Sequence, residues 1–182
     1  HFHALRSNED AEKSKIAEII KKLLPYVLRT KVYYVPYSLF QLATTHIPAE
    51  YELIIFRRFM NRIAEGIARR EKAKGIVTGE SIAQVASQTL DNIMATEEVT
   101  QLPIIRPLIT FDKEEIIKLA KQIGTYELSI QDYKDCCSIV SRHPKTRPKI
   151  EKIKQLESTF DMDKIVKGTI EASKVIAYKY GK

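Results

Sequence analysis

The chain has 182 residues, enough for one domain or for one domain with a helical tail, and 44% hydrophobic residues support a real core rather than global disorder. A net charge of +7 points to a polyanionic partner, although solvated faces of many proteins carry such a surplus. No run is long or apolar enough to span a membrane, and two adjacent cysteines cannot staple a secreted fold, so a reducing cytoplasm is the expected compartment.

His1-Phe2-His3-Ala4 lacks an initiator Met and begins as if inside or just after a strand. Ser7-Asn8-Glu9-Asp10 predicts a helix start with acids in its first turn. Ile16, Ile19, Ile20, Leu23 and Leu24 form an apolar stripe that Pro25 is expected to close. Lys31 to Val35 predicts a strand ended by Pro36, and a short helix is expected from Leu39 to Thr45. From about Glu52 to Arg70 a long helix buries Phe56, Phe59, Met60, Ile63 and Ile67. Its other face carries Arg57, Arg58, Asn61, Arg62, Glu65 and Arg69.

The central stretch runs from Gly75 to Leu90. Ile76-Val77 reads as a buried strand end, and Thr78-Gly79-Glu80 as a tight turn. A helix is expected at once, with Ile82, Val85, Ala86, Leu90 and Ile93 inward and Gln84, Ser87, Gln88 and Asp91 outward. Such a turn would aim backbone N–H groups of a helix N-terminus at an anion, and Gly79 would let a ligand approach the backbone. An ordinary strand–helix unit with a solvated polar face has the same spacing.

Ile104-Ile105 predicts a third strand running into Arg106-Pro107. Asp112 and Glu115 have capping-box spacing, and Gly124 is a natural helix end. A loop leads to Cys136-Cys137, and beyond Pro148 two helices are expected, near Ile150–Ser158 and Met162–Tyr178.

Strands alternating with helices predict an α/β fold with a doubly wound parallel sheet. Ligands of open parallel sheets sit outside the carboxyl ends of the strands. That rule selects His1 to Ala4, Tyr37-Ser38, Thr78-Gly79-Glu80 and Arg106-Pro107. His46 and His143 stand alone without metal-ligand spacing, so no metal site is expected.

Thr78-Gly79-Glu80, Gln84-Val85-Ala86-Ser87-Gln88-Thr89, Arg106-Pro107-Leu108-Ile109 and Asp135-Cys136-Cys137 together resemble the tRNA 4-thiouridine synthases, the ThiI sulfurtransferase family of thiamine biosynthesis. His1-Phe2-His3 is similar to that family's second core strand, and Arg57-Arg58 to its paired helix arginines. The resemblance covers residues 1–148 and implies a PP-loop ATP pyrophosphatase domain of the adenine nucleotide alpha hydrolase-like kind, with residues 149–182 as a C-terminal helical extension. It implies ATP contacts from His1, Phe2, Arg57, Gly79 and Gln88, with Mg²⁺ only as the companion of ATP. The family's Ser-Gly-Gly-x-Asp-Ser phosphate motif, its ferredoxin-like and THUMP regions and its rhodanese domain do not occur in this sequence.

The implied chemistry is adenylation of a tRNA uridine followed by replacement of its oxygen with sulfur from a cysteine persulfide, with sulfur handling for thiamine thiazole as a variant. Cys136 aligns with the family's catalytic cysteine and Cys137 adjoins it; nearby cations would favour the thiolate. Arg142, Lys145, Arg147 and Lys149 are candidate tRNA contacts. The implied partners are tRNA and a cysteine desulfurase or other sulfur donor, while a homodimer is left open. Plainer readings stay beside these: the cysteines as two small residues, Arg57-Arg58 as a solvated helix face, the basic run as a solvated helix start, and the whole chain as a non-catalytic PP-loop-like RNA-binding or interaction module.

Overall fold

The computed structural model describes residues 1–5, 7–82, 88–133, 136 and 145–181. Strand β1 (Phe2–His3) lies parallel to β2 (Arg29–Pro36), with Phe2 opposite Val35 and His3 opposite Pro36. Val32, Tyr33, Tyr34 and Val35 are buried in succession, because β2 is the middle strand and both its faces are covered. A second parallel pair joins β3 (Ile76–Val77) to β4 (Ile104–Ile105). The predicted α/β class with parallel strands is therefore present, as two separate sheets among the described residues.

Two short helices precede β2. Ser7 caps α1 (Asn8–Glu12), as the sequence suggests, and Ser14 caps α2 (Lys15–Val27). Pro25 does not close α2. It sits inside the last turn at the cost of one backbone bond, and the helix ends two residues later at Val27, with Leu28 as its C-cap. Leu28 takes a φ of 60° and returns its N–H to the carbonyl of Leu24.

Helix α3 (Ser38–Ala43) follows β2, and α4 (Ala49–Arg70) is the core's long axis. Glu50 and Glu52 stand in its first turn and Arg69 and Arg70 in its last, the charge order that the helix dipole favours. Phe40, Ile55, Phe56, Phe59 and Ile63 are fully buried around it. Burying an aromatic or Ile side chain of this size contributes about 1.5–3 kcal/mol, so this cluster is the main source of stability.

The helix expected directly after Gly79 is not there in the described residues. Helix α5 (Leu90–Glu97) starts only at Leu90, capped by Thr89, whose hydroxyl accepts from the Asn92 N–H. The physical reason lies in tertiary bonds. Ser81 donates its hydroxyl to the Phe111 carbonyl, Ile82 donates its N–H to the Ile109 carbonyl, and the Ser81 N–H goes to the Gln88 side chain. Residues 83–87, where the rest of that predicted helix falls, lie outside the described residues.

Asp112 and Glu115 form the predicted capping box at the start of α6 (Lys113–Gln122), and Gly124 follows it with a φ of 76°. After α7 (Tyr126–Ser129) come α8 (Ile150–Glu157) and α9 (Met162–Ala172). The last helix is expected to reach Tyr178 but stops at Ala172. Lys174–Lys179 instead forms β5, antiparallel to β2, with Ile176 opposite Val32. The alternating burial of β5 shows the two-residue period of a strand with one covered face. Among the described residues no helix is long and apolar enough to cross a membrane.

Candidate nucleotide and sulfur-transfer site

Two strand ends, one helix and one turn make an ion cluster. Glu80 follows β3, Arg106 follows β4, and Arg57 projects from α4. Arg57 Nη1 donates to Glu80 Oε1 at 2.8 Å, and Arg106 Nε to Glu80 Oε2 at 2.7 Å. The Thr78 hydroxyl adds a bond of 3.0 Å to Oε2. Arg106 also reaches Glu97 of α5 at 2.9 Å. Glu80, Arg57 and Arg106 are mostly buried. Even so, Arg57 Nε and Arg106 Nη2 are enclosed and have no hydrogen-bond partner among the described residues.

Gly79 lies beside this cluster, and a Cβ built on it would meet, apart from its two chain neighbours, no atom of the described residues within 4 Å. Its φ is not in the left-handed region, so the backbone itself does not demand glycine. Gln88 precedes α5 rather than standing on a helix face, and its Oε1 accepts from the Ser81 N–H at 3.2 Å. Three of the five predicted nucleotide contacts, Arg57, Gly79 and Gln88, thus gather around Thr78–Ser81. The other two, His1 and Phe2, line a cleft of about 520 Å³ together with Gly75 and Ile76, where β3 begins. The His1 ring also bonds the Tyr133 hydroxyl at 2.7 Å, tying β1 to the segment that leads to Cys136.

The reading of Arg57-Arg58 as a solvated face fails. The Arg58 side chain is 2% exposed. Its Nε and Nη2 grip the two oxygens of Glu157 at 2.9 and 3.0 Å, and Nη1 bonds Glu98 and the Ala95 carbonyl. Arg62 grips Glu157 from the other side at 2.8 and 2.9 Å. Burial alone would raise the Glu157 carboxyl; the hydrogen bonds from Arg62 and Arg58 outweigh it and hold its pKa below the ordinary value. Arg57 serves the turn after β3, whereas its neighbour fastens α4 to α5 and α8.

Cys136 is buried in the main core cluster with Tyr37 and Phe56. Burial and then the Glu52 carboxylate raise the Tyr37 phenol pKa, with Cys136 as a smaller cause. Cys137 and Arg142 lie outside the described residues. Lys145, Arg147 and Lys149 are exposed. The stretch they start is fastened to the beginning of α5: Asn92 Nδ2 donates to the Lys145 carbonyl at 3.0 Å and the Thr89 hydroxyl to the Thr146 carbonyl at 2.8 Å. Lys145 thereby stands within a few residues of Gln88, while Lys149 caps α8. Among the described residues, no three His, Cys, Asp or Glu side chains group as metal ligands.

The family model for thiamine biosynthesis protein (ThiI) matches residues 1–162. The chain belongs to the ThiI family. This ThiI chain is 43% identical over 178 residues to a probable tRNA sulfurtransferase of Geobacillus kaustophilus, covering 97% of the chain and 44% of the relative. It is 41% identical to a probable tRNA sulfurtransferase of Acetivibrio thermocellus, covering 97% and 45%. It also superposes with a TM-score of 0.87 and 36% identity on a 4-thiouridine synthetase whose crystal structure is an RNA complex with bound ATP, covering 98% of the chain and 47% of that protein. The fold class predicted from the sequence, an α/β PP-loop domain, agrees with that neighbour. The chain spans less than half the length of these relatives.

Sequence reasoning singled out Glu80 and Arg106 only as residues past strand ends. Their pairing needed the parallel register of β3 and β4, which no local pattern carries.

Proposed function

We propose that this ThiI-family chain supplies the ATP-using core of a tRNA sulfurtransferase that makes 4-thiouridine. The observation that carries the reading is the gathering of Arg57, Gly79 and Gln88 at the β3–β4 strand ends, in a fold similar at 36% identity to a synthetase holding ATP and RNA. The guanidinium groups and the open space over Gly79 fit a phosphate-bearing ligand: charge-assisted donors beside a backbone that a ligand can approach. Mg²⁺, where it takes part, enters with ATP, because hard cations bind phosphate oxygens with few protein ligands.

In the proposed reaction the uracil O4 attacks the α-phosphorus of ATP, and pyrophosphate leaves. The terminal sulfur of a cysteine persulfide then adds to C4, and AMP departs with the old oxygen. A second thiolate attacks the cysteine sulfur of the resulting mixed disulfide. The bonding electrons go to the thiouridine sulfur, and a protein disulfide remains for an external thiol to reduce. Cys136 is the proposed persulfide carrier, Cys137 or a cysteine elsewhere in the protein the resolving thiol, and a desulfurase or another sulfur donor the source. Lys145, Arg147 and Lys149, with Arg142 from outside the described residues, are the proposed tRNA phosphate contacts; the three described side chains are exposed and close in sequence.

The reading is tested with the native-length protein, ATP, a sulfur donor and unmodified tRNA, measuring 4-thiouridine by its absorbance after nuclease digestion. ATP-dependent product is expected; its absence with active donor would leave the fold as an RNA-binding or interaction module. A sharper arm is Gly79→Ala. Among the described residues nothing beyond the chain neighbours stands near the new methyl, so stability is expected to stay within about 1 kcal/mol. ATP affinity is expected to fall by about tenfold, since the methyl enters space a ligand would occupy. Unchanged affinity in calorimetry would remove close backbone approach at Gly79 from the account.

A further inference from the structure

We infer that Glu80 is a positioning residue for the nucleotide site, acting through Arg57, and that Arg106 locks it in place; this rests on the ATP-using reading above. The carboxylate bridges two guanidinium groups, Arg57 through Oε1 and Arg106 through Oε2, so its two oxygens fix the separation and tilt of both. Thr78 bonds the same Oε2, which removes the remaining freedom of the Glu80 side chain. All four groups come from the carboxyl ends of two parallel strands and from the helix beside them, where open α/β sheets take their ligands.

A second observation points the same way. Arg57 Nε and Arg106 Nη2 are enclosed donors with no acceptor among the described residues. A buried donor left unpaired is unfavourable and native structures rarely keep one, so two in a single cluster mark a place where an acceptor belongs. The three core groups carry one net positive charge, and Glu97, which offsets Arg106, is half-exposed. An anionic phosphate group that bonds the guanidinium groups needs them already side by side. Glu80 supplies that order before the ligand arrives, and an ordered donor pair binds more tightly than one that must be ordered on binding.

The test is a double-mutant cycle on ATP binding in the native-length protein, with α,β-methylene ATP in calorimetry to avoid turnover. Wild type, Arg57→Ala, Glu80→Gln and the double variant are compared, with the melting temperature of each. Each single change is expected to weaken binding by about tenfold. The double variant is expected to lose clearly less than the product of the two single losses, because without Arg57 Glu80 has only Arg106 left to orient. A purely structural role would move the melting temperature without that non-additivity in affinity. Glu80→Gln binding like wild type, or losses that simply multiply in the double variant, would overturn the assignment. Wild-type protein that binds no nucleotide would overturn the ATP-using reading itself and this inference with it. If Glu80→Gln does not fold, Arg106→Gln, which strips Glu80 of its second guanidinium, carries the same cycle with Arg57→Ala and the same outcomes.

Discussion

Cys136→Ala is expected to abolish 4-thiouridine formation while leaving ATP binding intact. Covalent delivery of sulfur has no substitute in an alanine side chain, so a fall of at least about a thousandfold in product is expected, near the background of the assay. In the described conformation Cys136 is 1% exposed. A persulfide formed there has to be received and handed on through an opening of the core beside Tyr37 and Phe56. Small thiol reagents should therefore modify Cys136 slowly in the resting protein, and faster when tRNA and ATP are present if substrate binding drives that opening. Loss of product in Cys137→Ala with product retained in Cys136→Ala would move the role to the neighbour. Retention in both would remove covalent cysteine chemistry from the mechanism.

Arg58→Ala is expected to lower stability by about 3 kcal/mol or more, read as a shift in the urea midpoint. The change leaves the Ala95 carbonyl and Glu98 short of a donor and Glu157 with Arg62 alone. Arg57→Ala, one residue earlier, should shift that midpoint far less and ATP affinity far more. The pH dependence follows from Glu157, whose folded-state pKa is depressed by Arg62 and Arg58 against the opposing effect of burial. A depressed carboxylate contributes stability above its unfolded pKa, near 4.5, and loses it as the pH falls through the folded value. The gap between wild type and Arg58→Ala should thus be full at pH 7 and narrow below about pH 4.5. A gap independent of pH across that range would show that packing, not the Glu157 pairing, sets the loss.

These two arginines also show how far the sequence could be read. Helical periodicity puts Arg57 and Arg58 on the same polar face, and nothing local separates them. What separates them is Glu80, which follows a strand, and Glu157, which is on a helix almost a hundred residues away. Short-range signals fared better: the Asp112–Glu115 box and the Gly124 stop depend on neighbours within one turn, and both hold. Ile82, Val85 and Ala86 carry real helical spacing, but bonds from Ser81 and Ile82 to the 109–111 segment hold the start of that stretch out of a helix. The stretch Lys174 to Lys179 holds four apolar residues in a row, Val175 to Tyr178, so its two-residue period appears only in its burial and not in its residue types. The proposed sulfur carrier was legible only as a resemblance. Spacing alone could not tell a buried Cys136 from an exposed one.

The pairing of β2 with β5 has a consequence for how the protein is made. Arg29 meets Lys179 and Tyr34 meets Lys174, so an interior strand leaves the ribosome well before its partner and waits while everything between them is made. Until then one row of its amide and carbonyl groups is open to any passing extended chain. A nascent polypeptide stalled after α4 should accordingly be a chaperone client, and release of the β5 residues should end that dependence.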